Sequence, residues 1–285
     1  MKVLLLGSGG FLGRSVLERF RDLSQPNLGE FLIDAPRSSD LDLTNSEKVD
    51  EFFDKAYYDY VIFGAVKIDE VEKSIGMFLN VYRNYSKYGF LINIGSGAEY
   101  GPYRYQPKMK ESHFDLAFPS EGYPLIKFVQ GREIEFGKVN NAVNLRVFGI
   151  YGPYEDHSRR FISNNICNAI NGKDMTCRQD MLFDYVYVDD FSDFLWNIIN
   201  SRHQFKFRSY NFAPSSAVSL VEIGTRLTHR FPKVPFKVAQ PGFGREYSGD
   251  PGRLVSEFGQ VVKTPLDSGI EKMITYFTNQ NAGSL

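Results

Sequence analysis

Cysteine is nearly absent: the 285 residues carry only Cys167 and Cys177. Two thiols exclude a disulfide framework and fit a reducing cytoplasm. The four histidines (His113, His157, His203, His229) are scattered, and no cysteine–histidine spacing reads as zinc. Net charge is lacking too. With 33 basic and 34 acidic side chains the formal charge is −1, which gives no pull toward nucleic acid or an anionic membrane. No apolar run approaches the roughly 20 residues that a membrane span needs. The first stretch, MKVLLLGSGG, is too short for a signal-peptide core and meets glycines at once, so it reads as a strand. Repeats and low-complexity segments are missing. The expectation is a soluble, cytoplasmic protein with neither nucleic acid nor membrane as partner.

What is present is a rhythm. KVLLLG (2–7), EFLID (30–34), DYVIFGAV (59–66), FLINIGS (90–96) and AVNLRVFGIYG (142–152) are near-continuously apolar, as buried parallel strands are. Between them RSVLERFRDL (14–23), SEKVDEFFDKA (46–56), VEKSIGMFLNVYRNYSKY (71–88) and PLIKFVQGREIEFGK (124–138) have helical spacing, with Ser46 as an expected N-cap. This alternation predicts an α/β fold, a doubly wound parallel sheet of Rossmann type. Beyond residue 150 the rhythm loosens. One more strand and helix are expected over 185–199, and helices over 219–231 and 265–277. The predicted organisation is a dinucleotide-binding domain over 1–150, with 183–203 returning to it. A smaller, interleaved substrate lobe is expected over 151–182 and 204–285.

The first strand ends in GSGGFLG, with Gly7, Gly10 and Gly13 spaced by three. A pyrophosphate site needs a tight turn, a close backbone approach and a helix start whose free N–H groups face the phosphates. Here that start falls at Phe11, Leu12 and Arg14. The second strand leaves the choice of dinucleotide open. Asp34 is suited to a ribose 2′-OH, as in an NAD site; Arg37, with Ser38 and Ser39, is suited to a 2′-phosphate, as in an NADP site, and Arg14 lies near enough to join it. The reading favours NADP with NAD possible. Asp42 and Leu43 follow where adenine would lie.

With 17 tyrosines in the chain, one Tyr-x-x-x-Lys spacing is expected about once by chance, so Tyr123 and Lys127 acquire meaning only from position. Ser96 ends a strand, and strands of a doubly wound sheet present their carboxyl ends to the ligand crevice. Pro124 is tolerated in a first helical turn, which puts Tyr123 at a helix start and Lys127 on the same face. Lowering a tyrosine pKa from about 10 to about 7 takes roughly 4 kcal/mol. A lysine charge at about 5 Å supplies roughly 3 kcal/mol at an effective dielectric near 20, and the helix N-terminus about 0.5–1 kcal/mol. Ser96, Tyr123 and Lys127 are thus the predicted catalytic set.

These elements, together with GAV (64–66), FLN ending at Asn80, LRVFGIYGP (145–153), VYVDD (186–190) and YNFAP (210–214), resemble the extended short-chain dehydrogenase/reductase family over nearly the whole chain. The passage from the second strand through LDLTN is similar to the 4-keto sugar reductases of the GDP-fucose synthase group. The resemblance implies a nucleotide-sugar substrate, a homodimer, and Ser96, Tyr123 and Lys127 as the catalytic residues. It adds Ala65 and Asn80 to the cofactor site, and Lys67, Gly97, Arg160, Asn164 and Arg178 to the substrate site. The family arginine before the Asp-aromatic pair is Phe183 here, so Arg178 or Arg160 would take its role. Related dehydratases carry an Asp-Glu pair after the serine or threonine, and the GDP-fucose synthase group a cysteine two residues after it. Gly97 and Ala98 stand there instead, and strand alternation is expected to turn Glu99 to the opposite face. Three functions follow in order: 4-keto reduction, 4-epimerisation with bound NAD, and non-catalytic dinucleotide binding.

Overall fold

The computed structural model describes residues 1–24 and 31–282. Along the first strand apolar side chains serve two faces. Val3 and Leu5 join one core and Leu4 and Leu6 the other, as in a sheet covered on both sides. In chain order β1 (Lys2–Leu6), α1 (Phe11–Leu23), β2 (Leu32–Asp34), α2 (Ser46–Lys55), β3 (Tyr58–Phe63), α3 (Val71–Tyr82), β4 (Tyr88–Ser96), α4 (Gly122–Phe136) and β5 (Ala142–Val147) alternate. They are followed by β6 (Ile150–Tyr151), α5 (Phe161–Ile170), β7 (Met175–Asp180), β8 (Leu182–Phe183), β9 (Val186–Tyr187) and α6 (Val188–Asn200). The chain then runs through β10 (Ser209–Phe212), β11 (Val218–Ser219), α7 (Leu220–Arg230), β12 (Phe236–Phe243), α8 (Gly252–Phe258) and α9 (Leu266–Ala282).

Six parallel strands form the central sheet in the order β10-β5-β4-β3-β1-β2. The winding reverses between β1 and β3, so their carboxyl ends bound the crevice where such sheets take ligands. Helices α1 and α6 cover one face through Val16, Phe20, Phe191 and Leu195. Helices α2, α3 and α4 cover the other through Val49, Phe53, Phe78 and Ile134. A separate core joins α5, α7 and α9 with β7 (Ile166, Leu227, Met273, Met175).

Several expectations shift, each for a local reason. The N-cap of α2 is Asn45, whose side chain accepts from the Lys48 amide at 3.1 Å; Ser46 is the first helical residue. The helix expected over 71–88 stops at Tyr82. There the Asn84 side chain donates back to the Asn80 carbonyl and across to Asp50, and β4 begins at Tyr88. The strand expected over 142–152 is broken. Gly149 takes a φ of +36° and packs against the Asp184 carbonyl, and β6 leaves the central sheet to pair with β9. The strand expected from residue 30 begins outside the described residues and forms only over Leu32–Asp34. The lobe expected over 204–285 is divided. Ser209–Phe212 is the sixth strand of the central sheet, and Leu254 and Phe258 of α8 pack into the core that α1 and α6 share. Helices α5 and α8 have no counterpart among the expected elements.

One side chain holds the far end of the helix that carries Tyr123 and Lys127. The Arg208 guanidinium donates to the carbonyls of Ile134, Gly137 and Val139 at 3.0, 2.9 and 3.0 Å. It meets the carbonyl-rich end of α4 with the charge that complements it.

Candidate active site

The glycine turn sits at the switch point. Gly7 has a φ of +92°, and a Cβ there would lie 2.7 Å from the Ala65 amide. A Cβ at Gly13 would collide with the Gly7 carbonyl. Both glycines are therefore required by the fold. Gly10 is different: its nearest neighbour is the Gly7 carbonyl at 3.6 Å, an ordinary contact, so nothing within the chain demands a glycine there. Gly10 caps α1 with no side-chain hydrogen bond and no acidic residue in the first turn. The N–H groups of Phe11, Leu12 and Gly13 at this helix start have no side-chain cap among the described residues, which fits a pyrophosphate. Ser8 binds the turn to the end of β2 through the Ala35 and Pro36 carbonyls at 3.2 and 3.4 Å.

The ribose end is asymmetric. The Asp34 carboxylate is already engaged, accepting from the Tyr58 hydroxyl at 2.7 Å and pairing with Lys2 at 3.2 Å. Arg37 is exposed, and its guanidinium has no hydrogen bond or ion pair among the described residues; only its backbone is bound, to Asp40 and Leu41. Arg14 donates to the Gly9 carbonyl at 2.9 Å and lies over Tyr154. Asp42 closes its own turn onto Thr44, which holds its carboxyl below the usual range. The Leu43 side chain is buried in the core, while the Asn80 amide donates to the Leu43 carbonyl at 3.0 Å. Asn80 and Leu43 therefore brace α3 against the loop. Ala65 lines the switch point, and Lys67 lies apart, paired with Glu70 at 3.4 Å.

Ser96, Tyr123 and Lys127 converge at the end of β4. The Ser96 hydroxyl accepts from the Ala98 amide at 3.2 Å and is the hydrogen-bonding neighbour of the Tyr123 phenol. Lys127 is buried. Its ammonium donates to the Ile94 carbonyl at 2.7 Å and to Gln130 at 3.1 Å, and lies 5.9 Å from the Tyr123 ring centre. Burial pushes the Lys127 pKa down to about 8, against the opposing pull of Glu99. At Tyr123 the direction is opposite to the lowering expected. Burial dominates and raises its pKa, while Ser96 and Arg160 pull it down and Glu99 pushes it up. The phenol is consequently held in its protonated form.

Residues 97–100 form a 3₁₀ turn, so Glu99 is turned inward by helical geometry rather than by strand alternation. No proton-transferring side chain stands at Gly97 or Ala98. Sequence reasoning missed Tyr247. The segment around it runs between residues 108–110 and 182–184: Tyr247 bonds Leu182 and Asp184, Ser248 bonds Met109, and the Gly249 amide donates to Asp184 at 2.8 Å. This strap sets the Tyr247 hydroxyl so close to Gly97 that a Cβ there would be 2.6 Å away, beside Ser96. Tyr247 packs its ring against Phe148, Tyr105 and Phe183 (centroids 5.1, 4.9 and 4.7 Å; tilted, edge-to-face and tilted), so the residue standing for the family arginine belongs to an aromatic wall. No periodicity marks GFGREYSGD, and only tertiary pairing reveals it.

Arg160, Asn164 and Arg178 line one cavity of about 580 Å³ with Arg159, Cys177 and Gln179. The Arg160 guanidinium has no partner among the described residues, and its charge reaches Tyr123, Tyr185 and the buried Glu155. Arg160 is thus a charge shared by the cavity and the surroundings of Tyr123.

A glycine turn on an uncapped helix at the switch point, with Ser96 at the end of β4 and Tyr123 and Lys127 on the helix that follows, is the arrangement of a nicotinamide-dinucleotide oxidoreductase of the extended short-chain type. The chain matches the NAD dependent epimerase/dehydratase family over residues 3–213 and belongs to it. It is 23% identical to a GDP-L-colitose synthase of Yersinia pseudotuberculosis, covering 98% of this chain and 99% of that one. Among solved structures it is similar to a Naegleria fowleri GDP-L-fucose synthetase bound to NADP (15% identity, 99% and 95% coverage, TM-score 0.80). It is also similar to a UDP-glucose 4-epimerase of Thermotoga maritima (17% identity, 99% and 100% coverage, TM-score 0.79). No helix among the described residues is long and apolar enough to cross a membrane.

Two predictions follow from this geometry. Gly13→Ala should cost roughly 1–3 kcal/mol of stability through overpacking. Gly10→Ala should stay within about 1 kcal/mol of wild-type stability, as a change of capping residue does, yet weaken dinucleotide binding. Thermal melts and cofactor titration of both variants check this, and equal melting losses would refute it. Turnover that needs a charged Lys127 should fall as pH rises through about 8, and Lys127→Arg should remove that limb from whatever activity remains.

Proposed function

We propose that this enzyme is an NADPH-dependent reductase of a 4-keto nucleotide sugar, with NADH as the alternative donor. The observation that carries this reading is Tyr123 on the helix of the buried Lys127, at the end of the strand that carries Ser96, where the next two residues, Gly97 and Ala98, cannot move a proton. The dinucleotide, when bound, supplies hydride to the carbonyl carbon. Ser96 and Tyr123 hold the carbonyl oxygen, Tyr123 gives it a proton, and Lys127 stabilises the phenolate left behind. With no base for a sugar C–H, the chain reduces a ketone and neither dehydrates nor inverts C3 or C5.

A nucleotide diphosphate suits the cavity of Arg159, Arg160 and Arg178, since guanidinium forks match phosphate oxygens and Arg160 has no competing partner among the described residues. The names of similar proteins, a GDP-colitose synthase and a GDP-fucose synthetase, support a nucleotide sugar. NADP is favoured over NAD because Arg37 is unpaired among the described residues while Asp34 is held by Tyr58 and Lys2.

The test is a panel of nucleotide 4-keto sugars with NADPH or NADH, followed by nicotinamide fluorescence. Net consumption of reduced cofactor separates a reductase from a 4-epimerase, which returns its hydride. In deuterated water, a 4-keto-6-deoxy substrate should emerge without deuterium at C3 or C5; incorporation at either carbon sinks the reading. Tyr123→Phe should leave cofactor affinity nearly unchanged and lower turnover at least about 100-fold. Arg37→Ala should weaken NADPH by roughly 1.5–3 kcal/mol while sparing NADH. Equal losses for the two cofactors in titration would instead favour an NAD site.

A further inference from the structure

Glu99 lies directly beneath the catalytic turn, wholly out of solvent. One carboxylate oxygen accepts from the Ser96 amide at 2.9 Å. The other accepts from Asn144 at 2.8 Å and from Arg146 Nε at 2.7 Å. Arg146 is equally buried, with Phe114 and Tyr100 rings 4.0 and 5.4 Å from its cation. Both terminal guanidinium nitrogens lack a hydrogen bond, and Glu135 stands 3.8 Å away. The chain clears space for this carboxylate twice, because a Cβ at Gly95 or at Gly131 would overlap its oxygens. A buried ion pair is a poor stabiliser, since desolvation offsets its attraction. Its cost to the fold leaves its function at the site to be explained.

We propose that Glu99, held by Arg146, is a positioning residue of the catalytic set, fixing the Ser96 turn and setting its carboxylate against the face of α4 that carries Lys127. Lys127 is met by the Ile94 carbonyl from β4 and by Tyr123 and Gln130 from α4; the Glu99 carboxylate lies against Gly131, one helical turn from Lys127, and against Gly95, next to Ile94, with Asn144 and Arg146 of β5 as its own partners. Burial lowers the Lys127 pKa and Glu99 pulls it back up, while burial also raises the Glu99 carboxyl against the Arg146 charge and the Ser96 amide that hold it down. The inference rests on the catalytic assignment of Lys127 made above.

The experiment follows the lysine side-chain carbons by NMR in the full-length, cofactor-free protein carrying ¹³C-lysine, with the Lys127 signal assigned through Lys127→Arg. In wild type the Lys127 midpoint should fall at about 8. In Glu99→Gln it should move to lower pH, the alkaline limb of turnover should move with it, and kcat should fall roughly 10- to 100-fold through misplacement of Ser96. Glu99→Gln strands a buried Arg146 charge and can fail to fold, so Glu99→Gln/Arg146→Met is the second variant; it removes the pair together and should show the same displacement. An unmoved midpoint in either folded variant overturns the proposal. So does failure of both to fold, which makes the pair a structural element. If the midpoint moves but wild type reduces none of the sugars, the substrate reading fails and this one stands.

Discussion

A carboxylate and a guanidinium, sealed from water and 2.7 Å apart, join the pieces that must agree for this site to exist. Glu99 belongs to the turn after β4, Arg146 to β5, and the glycines that admit them to β4 and α4. An ion pair in a low-dielectric interior tolerates little displacement, because each unmet hydrogen bond there carries its full desolvation penalty. The turn bearing Ser96 is therefore locked to the strand on one side and to the helix of Tyr123 and Lys127 on the other. Arg208 pins the far end of that helix through the carbonyls of Ile134, Gly137 and Val139.

The same burial explains why the acid and its lysine differ from the simple charge arithmetic. That sum took Lys127 as a full charge in a medium of middling dielectric beside an accessible phenol. In the folded chain both groups are desolvated, and the penalty on the phenolate exceeds what its neighbours recover.

Much of this was legible in the residues. Buried parallel strands advertise themselves as continuous apolar runs, and the glycine triplet could be read because close backbone approach leaves no other residue type; β1 through β5 and the Ser–Tyr–Lys order came from such local signals. What escaped was non-local. Ser209–Phe212 is too short to stand out, yet it completes the sheet beside β5. Asp34 and Arg37 are three residues apart, and only the fold reveals that Tyr58, on β3, has claimed the first. Tyr247 enters the site through a strap whose hydrogen bonds go to residues 65 and 140 positions away. Glu99 was noticed, but its inward turn came from a helical turn where a strand was assumed.

That strap has a consequence for how the molecule is made. During synthesis domains tend to form from the amino terminus onward. The glycine turn, Ser96, Tyr123 and Lys127 all emerge within the first 127 residues, and the dinucleotide half then has nearly everything it needs. The sheet, however, lacks its last strand until Phe212 has appeared, and the aromatic wall lacks Tyr247 until later still. Loop closure over such separations is slow compared with local helix formation. A growing chain thus passes through a stage at which a cofactor cradle exists without an enclosed reaction chamber, and the enzyme becomes complete only when its final quarter folds back onto its first half.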